Sequence, residues 1–330
     1  MKIAIENEIF HDIGEFRNLY RIILNGDQRH VFLIDYPSIL KSVNFEKLEP
    51  IDQEILSHSY VSNNRTEILP KFTISKVSGS NRFSTDEAIL YLDQPLSILL
   101  EHGLNDRYFL ESLFKNFDED KDILKHLSKG WIIFDHAGGA GPIKSIINGT
   151  FRSMETWPKK DKKVYLRFFV IMDSDKKTNV SPLGTDKENI VKYLTKNEIV
   201  HHVLVKREME NYVPESILTT LDNSYLNEYC NLTTIQKDYF DLEKGLIHER
   251  GAKKGNNEVE DFYASLNDKS WKILQAGINT DKYSSENFKN EFGKLFNDPT
   301  VTKNSLLSRC GGTKYENELQ EIVNKVKSLL

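Results

Sequence analysis

Hydrophobic and polar positions alternate in two textures along the chain. Up to about residue 90, short apolar runs (FRNLYRIIL, HVFLIDY, EILPKFTISKV) are broken by polar turns and followed by the loop SGSNRFSTDE, which reads as a mixed α/β unit. In the first run Phe16, Leu19, Tyr20, Ile22, Ile23 and Leu24 fit a buried strand or a short helix, and periodicity alone does not decide between them. From residue 91, longer apolar runs alternate with helical patterns as in a parallel α/β sheet. Pro95 to Leu100 predicts a strand closed by Glu101; after a turn, Asn105 or Asp106 caps a helix with Phe109, Leu110, Leu113, Phe114 and Phe117 at helical spacing. GWIIFDHAGGAGPIKSII repeats the theme: a strand from Trp131 to Phe134, a glycine turn, and a helix starting near Pro142. VYLRFFVIMDSD predicts a third strand and IVHHVLVK a fourth. Beyond Pro214 the pattern is polar and helical, with a break at His248 to Asn257. The last segment places Leu319, Ile322, Val323, Val326, Leu329 and Leu330 on one helical face. The expected organisation is an accessory domain over 1–90, an α/β domain over 91–220 and a helical region over 221–330.

Composition narrows the class. With 330 residues, 39% of them hydrophobic and 28% charged, the chain is expected to fold as two or three globular units rather than remain disordered. A net charge of -5, from 44 basic and 49 acidic side chains, does not by itself advertise an anionic partner. Glu6 and Glu8 interrupt what a secretory signal would need, and no segment approaches the roughly 18 apolar residues of a membrane span, so a soluble cytoplasmic protein with no membrane partner is expected. Two distant cysteines, Cys230 and Cys310, exclude zinc-ribbon, thioredoxin-like and disulfide-framework readings. Any metal would therefore be held by oxygen.

The acids supply that oxygen. Glu101 closes the first predicted strand of the α/β domain; Asp173 and Asp175 close the third and, two apart on an extended segment, are expected to point the same way. Ligands of open α/β sheets gather at the carboxyl ends of the strands, so the three acids are expected at one edge. Unpaired carboxylates brought together raise one another's pKa values, and a hard divalent ion, Mg2+ with Mn2+ as a substitute, would relieve the repulsion. Strand ends are often acidic and a lone D-x-D arises by chance; the combination carries the signal.

The combination resembles the TOPRIM (topoisomerase-primase) superfamily. LSILLEHGLNDRYFLESLF is similar to its first motif, with Glu101, Gly103 and Asp106, although His102 stands between the glutamate and the glycine. FFVIMDSD is similar to its D-x-D strand, and AGGAG at Ala137 to Gly141 lies where these proteins carry a glycine turn. VLVKREMENYVPESIL resembles the R-x-x-E-N-Y-L segment of OLD (overcoming lysogenization defect) nucleases and of stand-alone TOPRIM effectors in anti-phage defence, which would make Glu210 a further metal-site acid. The resemblance covers residues 91 to about 218. It implies a Rossmann-like TOPRIM sheet and a Mg2+-dependent endonuclease acting on DNA or on RNA such as tRNA. Glu101, Asp106, Asp173, Asp175 and Glu210 would be its metal ligands. It further implies a catalytic lysine after the core, for which Lys254 is preferred over Lys253 and Lys272, a separate ATPase partner, and scope for a homo-oligomer.

Other patterns fall away. GGAGPIKS lacks the glycine that a P-loop requires before its lysine, since Ile143 precedes Lys144, and ATPase activity is excluded. The amides of Gly138 and Gly139 at a helix start remain candidates for a nucleic-acid phosphate. Lys159, Lys160, Lys162 and Lys163 form a second phosphate-binding candidate ahead of the third strand, against the plainer reading of a solvated loop. A haloacid-dehalogenase-type phosphohydrolase or a glycosyltransferase would leave Glu101 unexplained. A catalytically silent TOPRIM-like binding module, its acids satisfied by lysines, is the competing class. His201 and His202, inside an apolar strand, are expected to be structural.

Overall fold

Two apolar runs, Leu96–Leu100 (β5) and Phe168–Met172 (β7), are buried at every position because each lies inside a sheet with helices on both faces. Alternation along the strands divides them between two cores. Ile98, Leu100, Phe169 and Ile171 face the helix Gly103–Phe117 and the carboxyl-terminal region. Leu99, Val170 and Met172 face Ile143 and Ile147 of the helix Ala140–Ser153 and Ile190 and Leu194 of the helix Thr185–Lys196. With Ile132–His136 (β6) and Val200–Val203 (β8) these strands form a wholly parallel sheet of order β6-β5-β7-β8. The computed structural model describes residues 1–26, 29–63, 69–157, 161–221, 223–246, 257–278, 287–310 and 317–330.

The amino-terminal unit repeats the same winding. Lys2–Ile5 (β1), Val31–Leu33 (β2), Phe72–Ile74 (β3) and Arg82–Phe83 (β4) pair in parallel in the order β2-β1-β3-β4. The ambiguous run FRNLYRIIL lies in a helix, Phe16–Gly26, in which Leu19, Ile22 and Ile23 are buried at helical spacing while Leu24 is about half exposed. The chain is thus an α/β protein with two four-stranded parallel sheets. The helix Thr85–Leu92 packs into the amino-terminal core with a full capping box, Ser84 with Glu87, and Met154 and Tyr165 of the second unit join that core. The two units therefore share a packed seam.

Polar pairs lock the carboxyl-terminal region to the central sheet. Glu318, buried at the start of the helix Glu318–Lys327, accepts from His202 Nε2 (2.9 Å), Val205 N–H (2.8 Å) and Tyr212 O–H (2.6 Å). Lys325 Nζ lies 3.1 Å from His202 Nδ1, on the other side of the ring. His202 is buried and structural, as its place in an apolar strand suggests. Nearby, Lys206 and Arg309 both bind the buried carboxylate of Asp238, at 2.9 and 2.6 Å. Glu318→Ala would leave three donors without this acceptor, two of them buried, a loss of about 3 kcal/mol. Urea denaturation should show that loss in Glu318→Ala and a smaller one in Glu318→Gln.

Candidate active site

From the adjacent strands β5 and β7 the chain continues in opposite directions, from β5 to β6 at one side of the sheet and from β7 to β8 at the other, which opens a crevice at the carboxyl ends of β5 and β7. Glu101 and Asp173 are the first residues past those two adjacent strands. Both are buried, and Asp173 N–H donates to Glu101 Oε2 at 3.2 Å, so the strand ends hold each other. The glycine turn fixes the other side of Glu101: Gly139 N–H donates to the Glu101 carbonyl at 2.9 Å. Gly138 and Gly139 adopt φ values of 73° and 113°, where a side chain would be strained. Gly138 N–H and Gly103 N–H both donate to His136 Nδ1, each at 3.2 Å. The amides proposed for a phosphate are therefore already engaged in building the turn.

Asp173 is the centre of negative charge. Burial first, and then Asp106, Glu210, Glu208 and Glu101 around it, push its carboxyl well above the ordinary carboxylate range. Each of these groups is positioned by a neutral donor. Asp106 does not cap the helix that follows β5; the helix begins earlier, at Gly103, and Asp106 reaches back from its first turn to accept from His102 N–H at 2.6 Å. Met209 N–H donates to Asp173 Oδ1 at 3.1 Å. Asn105 Nδ2 donates to Glu210 Oε1 at 2.8 Å. The three acids expected at one edge, Glu101, Asp173 and Asp175, come to it, and the charges of Asp106 and Glu210 act on Asp173 there. Among the described residues, however, no three acid, histidine or cysteine side chains are already gathered as one set of metal ligands.

Asp173 and Asp175 do not point the same way. The strand ends at Met172, and Asp175 has φ 52°, a left-handed turn that breaks the two-residue alternation. Its side chain is 53% exposed and reaches Lys187 Nζ at 2.5 Å. Ser174 and Asp175 N–H both donate to the Arg207 carbonyl at 3.0 Å, which joins this turn to the segment after β8.

Lys187 is the residue that the sequence reading missed. From the first turn of the helix Thr185–Lys196 its ammonium contacts Glu101 Oε2 (3.0 Å), the Asp173 carbonyl (2.7 Å) and Asp175 Oδ2 (2.5 Å). Burial opposes its charge, but Glu101, Asp175 and Asp173 outweigh that and hold its pKa above the usual lysine value. A cavity of about 550 Å³ opens here, lined by Glu101, Asp175, Lys144 and Lys187 between the starts of the two helices Ala140–Ser153 and Thr185–Lys196. Across β5, a second cavity of about 510 Å³ is lined by His102, Arg107, Phe134 and His136. No family model, curated protein or solved structure matches the chain.

Of the lysines expected near the acids, the described ones lie elsewhere. Lys254 and Lys253, like Lys159 and Lys160, fall outside the described residues. Lys272 is exposed on the helix Asp268–Gln275. Lys162 donates to the Trp157 carbonyl and Lys163 pairs with Glu198. Both precede β7, so a strand's length, roughly 16 Å, separates them from the carboxyl end where Asp173 sits. Nearness in sequence misled because an extended strand carries its two ends apart.

The segment R-x-x-E-N-Y is mostly scaffold. Arg207 pairs with Asp241 at 2.8 Å; Asn211, fully buried, donates to the Lys237 and Phe240 carbonyls, both at 2.9 Å; Tyr212 serves Glu318. Three neighbours within it face Asp173: Met209 through its N–H, and Glu208 and Glu210 through their charge. Behind Asn105, Gly293 comes so close that a β-carbon there would lie 2.0 Å from Asn105 Oδ1. Gly293→Ala should therefore displace the amide that holds Glu210 and lower stability by about 1–3 kcal/mol, measurable by thermal denaturation.

The raised Asp173 pKa sets a pH dependence. Its value in the unfolded chain is near 3.8, so above that pH the unfolded state gains by ionising while the folded state resists. Stability from this group is present below the unfolded pKa and is lost as pH rises through the folded one. In chelator-treated protein, Asp173→Asn is expected to melt at a higher temperature than the parent at pH 7, with the difference shrinking towards pH 4; equal melting at pH 7 would contradict the assigned charge balance.

Proposed function

We propose that the chain is a divalent-metal-dependent phosphodiesterase of TOPRIM type that cleaves DNA or RNA. The observation that carries this reading is the buried carboxyl of Asp173, at the switch point of a parallel sheet, with Glu101, Asp106 and Glu210 around it. An all-oxygen donor set about a carboxyl driven up by like charge fits a hard cation such as Mg2+ or Mn2+. Asp106, Asp173 and Glu210 would hold it, with Glu101 and Asp175 towards the cavity. When bound, such an ion polarises a phosphodiester and acidifies a water molecule.

The chain's own groups supply the rest. The 550 Å³ cavity receives the phosphate between two helix starts, where the helix dipoles and the cations of Lys144 and Lys187 favour an anion. Lys187 is placed to donate to a phosphate oxygen as negative charge grows on it. Asp175, exposed at the turn, borders the same space and is placed to accept a proton from water. The resemblance to anti-phage effectors extends the proposal to a cytoplasmic defence nuclease controlled by a separate ATPase.

One observation favours a second reading. Lys187 already neutralises Glu101 and Asp175, as it would in a silent TOPRIM-like binding module. Cleavage assays on single- and double-stranded DNA, RNA and tRNA with Mg2+ separate the two. The nuclease reading expects cleavage abolished by a chelator and reduced about a hundredfold or more in Glu101→Ala and Asp173→Ala. Cleavage that persists undiminished in both variants would sink it, and an inert parent chain, with or without the ATPase, would leave the binding module.

A further inference from the structure

Asp173 presents two different faces to its surroundings. Its carboxyl is turned to Met209 N–H and to the charges of Asp106 and Glu210, whereas its main-chain carbonyl accepts from Lys187 Nζ at 2.7 Å. Around that ammonium stand two further oxygens, Glu101 Oε2 at 3.0 Å and Asp175 Oδ2 at 2.5 Å. One oxygen comes from each adjacent strand end and one from the left-handed turn. Sites that hold two metals place them about 3.5–4 Å apart between shared carboxylates. Here the three oxygens beside Asp173 enclose an ammonium of the protein itself.

Resting on the phosphodiesterase reading, we propose that Lys187 is a built-in second cation, so that the centre takes up one divalent ion, on the Asp106, Asp173 and Glu210 side, and not two. The lysine enters from the first turn of a helix packed on the sheet through Ile190 and Leu194, and its side chain is only 7% exposed. An ion arriving between Glu101 and Asp175 would meet a buried ammonium at contact distance and could not displace it without drawing a long apolar stem out of its packing. The same ammonium lines the 550 Å³ cavity. It therefore meets the phosphate from the side opposite the ion, and it supplies its charge without needing a second metal to bind.

Metal stoichiometry tests this apart from activity. Calorimetric titration of the full chain with Mn2+ should give one ion per chain in the parent and in Lys187→Arg, and two in Lys187→Ala, where Glu101 and Asp175 are left without their cation. Electron paramagnetic resonance of the Mn2+-loaded parent should show an isolated ion with no coupled pair, and this measurement needs no variant to fold. Two ions or a coupled pair in the parent would overturn the assignment of Lys187 while leaving the metal-dependent reading intact. An unchanged count in a folded Lys187→Ala would also overturn it. No Mn2+ bound by any form would overturn both.

Discussion

The site depends on one electrostatic constraint: a carboxyl, Asp173, is held out of water beside other carboxylates. Burial and like charge both act against ionisation there, so the surrounding structure must impose the arrangement. It does so with backbone. The N–H groups of Met209, His102 and Asp173 each bind one acid, and the pairing of β5 with β7 sets Glu101 beside Asp173. These are rigid donors fixed by the sheet and the helix starts, which is why a cluster of like charges is sustained with only one lysine among its described contacts on the Glu101 side.

Much of the remaining polar interior supports that arrangement at one remove. Asn211 binds two carbonyls of the chain near Phe240, Arg207 ties the turn after β7 to Asp241, and Glu318 gathers Tyr212, Val205 and His202. The carboxyl-terminal segment approaches through Gly293 to back Asn105, and Asn105 in turn holds Glu210. The helical region is thus a second wall of the site, fastened by buried ion pairs such as Arg309 with Asp238.

What could be read from the sequence follows physical range. Apolar runs and helical spacing gave the four strands of the second sheet and the helices after the first two of them, because burial on both faces writes a continuous hydrophobic signal. Topology then brought Glu101, Asp173 and Asp175 to one edge. The orientation of Asp175 was not legible, since a single left-handed residue undoes the alternation and leaves no compositional mark. Lys187 was hidden for a different reason: in TDKENIVKYL it is one charged residue of a solvated-looking helix start, and only the packing of that helix reveals its partners. The regular sheet of the first unit escaped because its strands are two to four residues long, too short for a period to show.

The seam between the two units lies away from the acids. It is made at the amino ends of the central strands: Tyr165 O–H binds Glu87 at 3.0 Å and Arg167 binds the Gln94 carbonyl at 2.9 Å, just before β7 and β5 begin, while Arg29 holds the same Gln94 carbonyl at 2.5 Å from the other unit. The first unit is thereby moored to the edge of the sheet opposite the acids. The contacts that fasten the two units together thus lie a strand's length, roughly 16 Å, from the ends where Glu101 and Asp173 stand, so a change at the seam reaches the acids only through the strands themselves.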